Sequence, residues 1–313
     1  MTGPRLLRLL IAVSLTAYII WDANPREVVR AAGGADLSWI SIAVLLVFLD
    51  RGLMAWRWMD LLAALSPGSR PPFPIVLRIF FVSTFVGTFL PSVGGDVYRA
   101  YSLSRHDVRV SESAASVLMD RVLGVLSIVL LGAAALVAAP GIARDRWVVV
   151  SLAAAGTCCL VAGVAVFSGR AAGTIQRAAF WLPSPRLQRV TSAMTDAVRR
   201  YARHHGELLR VLAVSVVVQG LRVVQAFCLG RAIGIDLPMS VYFVFIPIAL
   251  IVMLLPITVN GFGTGQWAFA GLFGQAGVAA GQSVALSLLF IALGVVGNLP
   301  GALLYATGER PNR

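Results

Sequence analysis

Apolar residues fall in long runs rather than in strict alternation, and short arginine-rich stretches separate the runs. Six runs read as complete membrane-crossing helices: Leu6 to Trp21, Leu37 to Leu62, Ser111 to Ala139, Trp147 to Phe167, Leu208 to Leu229, and Gln282 to Thr307. A crossing helix needs about 20 mostly apolar residues, so the first run is short. Arg5 and Arg8 give that run the basic start of a signal peptide. Bulky Tyr18, Ile19, Ile20 and Trp21 leave no cleavage site after it, and a retained anchor is expected. A barrel would instead show short alternating segments. The expected fold class is an all-α integral membrane protein, one transmembrane domain over 1–313.

Two further runs are broken. Pro74 to Arg99 stops its apolar stretch at Phe89-Leu90-Pro91 and turns through Gly94 and Gly95. Met239 to Trp267 stops at Leu254-Leu255-Pro256 and turns through Gly261, Gly263 and Gly265. Proline ends a helix by removing a donor and clashing with the preceding turn, and paired interrupted segments mark transport sites in membrane proteins. The order of parts repeats, since Ser113-Ala114-Ala115 opens a long helix after the first break and Ser283-Val284-Ala285 after the second. We therefore expect repeats over 37–139 and 208–307, joined by a basic connection over 168–207.

Arginine placement assigns sides. With six crossings, Arg5, Arg8, Arg70, Arg99, Arg105, Arg109, Arg310 and Arg313 share the cytoplasmic side with the arginines of 168–207. Both termini are then cytoplasmic, and the broken segments dip in from opposite faces as an inverted repeat. If both broken segments cross fully, there are eight spans. Within the connection, Phe180, Leu187, Val190, Met194 and Val198 recur at helical spacing between arginines, which predicts amphipathic helices lying against anionic lipid.

Charges inside the apolar runs are the functional candidates, because each costs roughly 2.5–3.5 kcal/mol at mid-bilayer on insertion scales. Arg222 lies roughly 21 Å into its span at 1.5 Å per residue, with Gln219 and Gln225 three positions to either side. Asp120 and Arg121 are neighbours that point in different directions, so each needs another partner, drawn from substrate or from Asp96, Arg99 and Asp50. Arg57 and Asp60, three apart near a span end, read as an interfacial ion pair. In the first turn, Gly94 and Gly95 free backbone donors for an anion, Asp96 suits an N-cap or that site, and Arg99 can grip phosphate. Asn260, Gly261, Gly263, Thr264 and Gln266 hold the corresponding place in the second turn without a charge.

Composition agrees with a membrane protein: 58% hydrophobic and 13% charged residues with mean hydropathy +0.83 over 313 residues. The net charge of +12 follows from positive-inside loops and does not require nucleic acid. Every Lys/Arg position is Arg, a residue that binds phosphate bidentately. Cys158, Cys159 and Cys228 lack metal or disulfide spacing, and His106, His204 and His205 sit in basic stretches. No metal, cofactor or catalytic set is expected.

The runs Phe89-Leu90-Pro91-Ser92-Val93-Gly94-Gly95-Asp96-Val97-Tyr98-Arg99-Ala100, Ala114-Ala115-Ser116-Val117-Leu118-Met119-Asp120-Arg121-Val122-Leu123-Gly124 and Leu255-Pro256-Ile257-Thr258-Val259-Asn260-Gly261-Phe262-Gly263 resemble the lysylphosphatidylglycerol synthase transmembrane-region family of flippase-like proteins. The resemblance covers nearly the whole chain. It implies a bacterial or archaeal cytoplasmic-membrane protein that moves an anionic or polyprenyl-linked lipid between leaflets. An aminoacyltransferase domain is not seen, so synthesis of the modified lipid is not expected. Where many relatives carry an Arg-Glu pair after the second turn, this chain has Gln266-Trp267. The alternatives are a membrane-embedded transferase acting on a polyprenyl phosphate through Asp96 or Asp120, and an assembly protein with envelope-biosynthesis partners.

Overall fold

A computed structural model of the chain describes residues 33–65, 71–89, 94–106, 108–138, 185–201, 203–254 and 264–307, with isolated positions between 150 and 177. All regular structure among the described residues is helical. Among the described residues four helices are long and apolar enough to cross a membrane: α1 Leu37–Leu65, α4 Val110–Ala138, α6 His205–Ala232 and α9 Ala280–Thr307. They match four of the six expected spans. Leu6 to Trp21 lies outside the described residues, as does Trp147 to Phe167 apart from isolated positions.

Each broken run is two helices. The first gives α2 Phe73–Phe89 and α3 Gly94–Leu103; the second gives α7 Met239–Leu254 and α8 Thr264–Gln275. At 1.5 Å per residue α2 and α7 are about 24–26 Å long, shorter than a hydrocarbon core of about 30 Å. The remaining helix among the described residues, α5, spans Pro185–Tyr201.

Local chemistry sets the ends. Asp36 caps α1, accepting from the backbone N–H of Ser38 at 2.9 Å. Pro72 precedes α2 and its carbonyl accepts from Ile75 N–H at 3.0 Å. After α6, Gly234 takes φ +77°, and Ile235 N–H reaches back to the Gly230 carbonyl at 2.9 Å. After α8, Gly277 at φ +84° lets Val278 N–H reach the Phe273 carbonyl at 3.1 Å. Both are the left-handed glycine stop that satisfies terminal carbonyls.

Contacts divide the chain into two compact units: one of Met1–Arg51, Arg78–Gly95 and Leu221–Arg313, the other of Gly52–Leu77 and Asp96–Gly220. In the first unit small residues bring helices close. A Cβ at Gly95 would lie 2.5 Å from the Ser83 carbonyl oxygen, and one at Gly301 would lie 2.1 Å from that of Phe81. Such contact without side chains is how membrane helices gain van der Waals packing when water supplies no drive between them. An aromatic cluster of Phe227, Tyr242, Phe245, Phe269 and Phe273 fills the space beside α7 and α8.

In the second unit α5 packs on α4 and the end of α1. Its Ala197, Val198 and Tyr201 join Leu61, Leu65, Ala115 and Met119, and Tyr201 Oη donates to the Leu61 carbonyl at 2.8 Å. Val198 is thus buried against protein, not against lipid as its spacing suggested. A helical apolar face has the same sequence pattern whether protein or lipid covers it. Leu45, Val137, Trp267 and Leu303 remain more than two-thirds exposed, which suits lipid as solvent.

Candidate functional site

Among the buried carboxylates of the described residues, Asp50 in the first unit and Asp120 in the second are each met by two arginines. In the first unit Asp50, 1% exposed, takes Arg51 Nη1 on Oδ2 at 2.8 Å and Arg222 Nε on Oδ1 at 3.3 Å. Arg51 is further fixed by α9: its Nε donates to Asn298 Oδ1 at 3.1 Å and its Nη2 to the Gly294 carbonyl at 3.4 Å. Gly297 makes room for this, since a Cβ there would lie 2.8 Å from Val47 and 3.3 Å from Arg51 Nε. Asn298 Nδ2 then donates to Thr88 Oγ1 at 3.0 Å, tying α9 to α2.

Asp50, Arg51, Arg222, Gly294 and Asn298 line a cavity of about 260 Å³, with Gln225 also on the polar side and Leu250, Met253 and Phe290 on the apolar side. Gln225 is 3% exposed, and its Nε2 has no hydrogen-bond acceptor among the described residues. A buried donor left unmade costs about 1–3 kcal/mol. The cavity lining carries one carboxylate against two guanidinium groups.

In the second unit Asp120 receives Arg57 Nη2 at 2.6 Å and Arg99 Nη1 at 3.3 Å, and all three are at most 6% exposed. Arg57 also donates to Ser215 Oγ at 2.9 Å, which donates in turn to the Val211 carbonyl at 2.6 Å. The Arg99 guanidinium lies over Trp58, 4.9 Å from the ring centroid, while Trp58 Nε1 donates to Ser116 Oγ at 3.0 Å. Asp96 Oδ2 accepts from Arg121 Nε and Nη2 at 3.0 and 2.9 Å, and the Arg121 side chain is 53% exposed.

The expected site residues therefore fall into two groups. Arg222 sits in the first unit with Asp50, Arg51, Gln225 and Asn298; Asp96, Arg99, Asp120 and Arg121 sit in the second. Gln219 leaves the stripe it shares with Arg222 in sequence and donates to the Gly124 carbonyl and Ser127 Oγ, both at 3.4 Å. Gly95 is taken up in packing against α2, and Gly94 opens α3 beside it. Asn260, Gly261 and Gly263 lie outside the described residues, while Gln266 is half-buried in α8. Arg57 and Asp60 do not pair: Asp60 is held by Arg210 at 2.6 and 2.7 Å, because a buried guanidinium on α4's side is offered Asp120 instead. Arg51 and Asn298 were missed. A charge beside Asp50 in mid-span, and an asparagine inside an apolar helix, were the available signals.

The lysylphosphatidylglycerol synthase TM region family model matches residues 5–301 of the chain. The chain belongs to this family. It is also similar to a UPF0104 membrane protein of Methanothermobacter thermautotrophicus, with 25% identity over 307 residues, covering 90% of this chain and 88% of the relative. Within this family member, the Gly94-Gly95-Asp96 and Asp120-Arg121 motifs meet as α3 on α4 through the Asp96–Arg121 and Arg99–Asp120 pairs. Among the described residues no group of His, Cys, Asp and Glu is placed to hold a metal ion.

Proposed function

We propose that the protein moves an anionic lipid, either a phospholipid or a polyprenyl-linked lipid, between leaflets of a bacterial or archaeal cytoplasmic membrane. Both termini face the cytoplasm in this reading, following the arginine bias. The observation that carries it is the mid-span cavity of the first unit. Arg222 lies about 15 Å and Asp50 about 20 Å from the nearer ends of their helices at 1.5 Å per residue, too deep for the charges to be easily relieved by reaching the interface. Charges kept at that depth mark substrate and ion pathways. Arg222 is the headgroup contact, with Arg51 and Gln225 beside it, while the acyl chains stay in lipid. Asp96 and Asp120, the bases that a membrane transferase would need, are both engaged by arginines, which favours lipid movement over group transfer.

The test is transfer of fluorescent phosphatidylglycerol in proteoliposomes, read by chemical quenching of the outer leaflet. Arg222→Ala is expected to slow transfer at least tenfold while the protein elutes as a single folded species, because Asp50 keeps Arg51 at 2.8 Å. Transfer at the parent rate would sink the assignment.

A further inference from the structure

We infer that Gly52 in α1 and Gly220 in α6 form a hinge, and that one unit turns against the other by bending these two helices while the buried ion pairs stay whole. For its purpose this rests on the lipid-movement reading above; it adds where the motion occurs.

The chain passes between the units at four steps: Arg51 to Gly52, Leu77 to Arg78, Gly95 to Asp96 and Gly220 to Leu221. The second lies near the start of α2, and the third opens α3 just after a helix break. The other two fall inside uninterrupted helices, with Gly52 fifteen residues past the start of α1 and Gly220 fifteen past the start of α6. Sharp bends in a continuous helix need an identifiable weak point, of which glycine is one. Both helices carry a glycine at the crossing step.

Packing does not explain these two glycines. A Cβ at Gly95, Gly297 or Gly301 would lie between 2.1 and 2.8 Å from a neighbour, whereas one at Gly52 or Gly220 would meet nothing within 4 Å. Glycine weakens a helix interior relative to alanine, and no close approach offsets that loss here. What glycine supplies at these steps is backbone freedom.

Their positions match. Asp50 and Arg222, each two residues from its glycine, meet at 3.3 Å in the first unit. Arg57 and Ser215, each five residues from its glycine on the other side, bond at 2.9 Å in the second. Gly52 and Gly220 therefore occupy corresponding steps of two antiparallel helices, and two bends at one level make an axis. The Asp50 cluster with Arg51 and Arg222 lies wholly in the first unit, and the Asp120 cluster with Arg57 and Arg99 wholly in the second. Breaking a buried pair is strongly destabilising. Bending at the glycines leaves both clusters intact, in the manner of hinge closure by a few residues far from the chemistry.

Two readouts test the hinge: residue-resolved hydrogen–deuterium exchange of the full chain in lipid nanodiscs, and transfer of fluorescent phosphatidylglycerol in proteoliposomes. Amides of residues 52–56 and 220–224 are expected to exchange about tenfold faster than those two turns to either side in the same helices. Gly52→Ala with Gly220→Ala should remove that difference and slow transfer about tenfold, while the melting temperature stays level or rises. Gly206→Ala, another open glycine of α6 but far from the crossing step, should leave transfer unchanged. Should the double variant fail to fold, Gly220→Ala alone decides by the same two readouts. Even exchange along both helices of the parent, parent-rate transfer in the alanine variant, or equal slowing by Gly206→Ala overturns the hinge. Fast exchange at both glycines that alanine suppresses, in a parent protein that moves no lipid, supports the hinge and overturns only the transport reading.

Discussion

Asp120 shows most directly how one residue holds buried charge in this protein. It is 5% exposed and meets Arg57 and Arg99, themselves 3% and 6% exposed. Removing one member of a buried pair leaves an uncompensated charge, which typically costs about 3–5 kcal/mol. Asp120→Ala is therefore expected to lose most of the thermal unfolding transition in detergent. Asp236→Asn, which breaks the exposed Arg231–Asp236 pair, should change stability by less than about 1 kcal/mol. Similar losses from both variants would show that burial does not set the value of these pairs. That Asp120 and Arg121 take separate partners follows from the helical step between neighbours. Which partners they take does not, and the same holds for Arg57 and Asp60. Spacing on one helix offers that pair to each other, but Asp120 and Arg210 come from distant sequence and form shorter contacts.

Elements are set by breaks and by glycine. Pro91, Pro256 and the glycines after them predict interrupted helices, and α2 with α3 and α7 with α8 have that form. The partner that each glycine lies against is a tertiary matter. Gly301 faces the backbone carbonyl of Phe81, which cannot swing aside as a side chain would. Gly301→Ala is expected to destabilise by about 1–3 kcal/mol through overpacking. Gly220→Ala, in α6 with nothing within 4 Å of the added carbon, should be neutral or stabilise by up to about 1 kcal/mol through helix propensity. Thermal unfolding followed by size-exclusion profiles separates the two; a tolerated Gly301→Ala would mean that α9 can move off α2. The amphipathic pattern of α5 correctly marks a helix, yet Val198 and Tyr201 are covered by α1 and α4.

At the scale of the molecule, the proposed orientation is tested by labelling single cysteines with a membrane-impermeant maleimide, after Cys158, Cys159 and Cys228 are changed to serine. Asp236→Cys should label in intact cells, and Arg203→Cys only after permeabilisation; the opposite pattern would reverse the assignment. Arg70→Cys and Arg105→Cys, on either side of the first broken segment, then distinguish one that returns to its own face from one that crosses, since the two cysteines label alike only in the first case. The sequence by itself determined the all-α membrane class, the four described spans, the two breaks and the depth of Asp50, Asp120 and Arg222. These follow from hydropathy, proline and rise per residue, which are local properties. Only the tertiary structure decided that Arg222 shares Asp50 with Arg51, that Arg99 is buried over Trp58 with Asp120, and that Gln225 beside the cavity has a buried Nε2 with no acceptor among the described residues. Ion pairing inside a membrane joins residues far apart in the chain, and Asp50 and Arg222 are 172 positions apart. Which guanidinium reaches a given carboxylate depends on how the helices pack, and no spacing within a single helix records that.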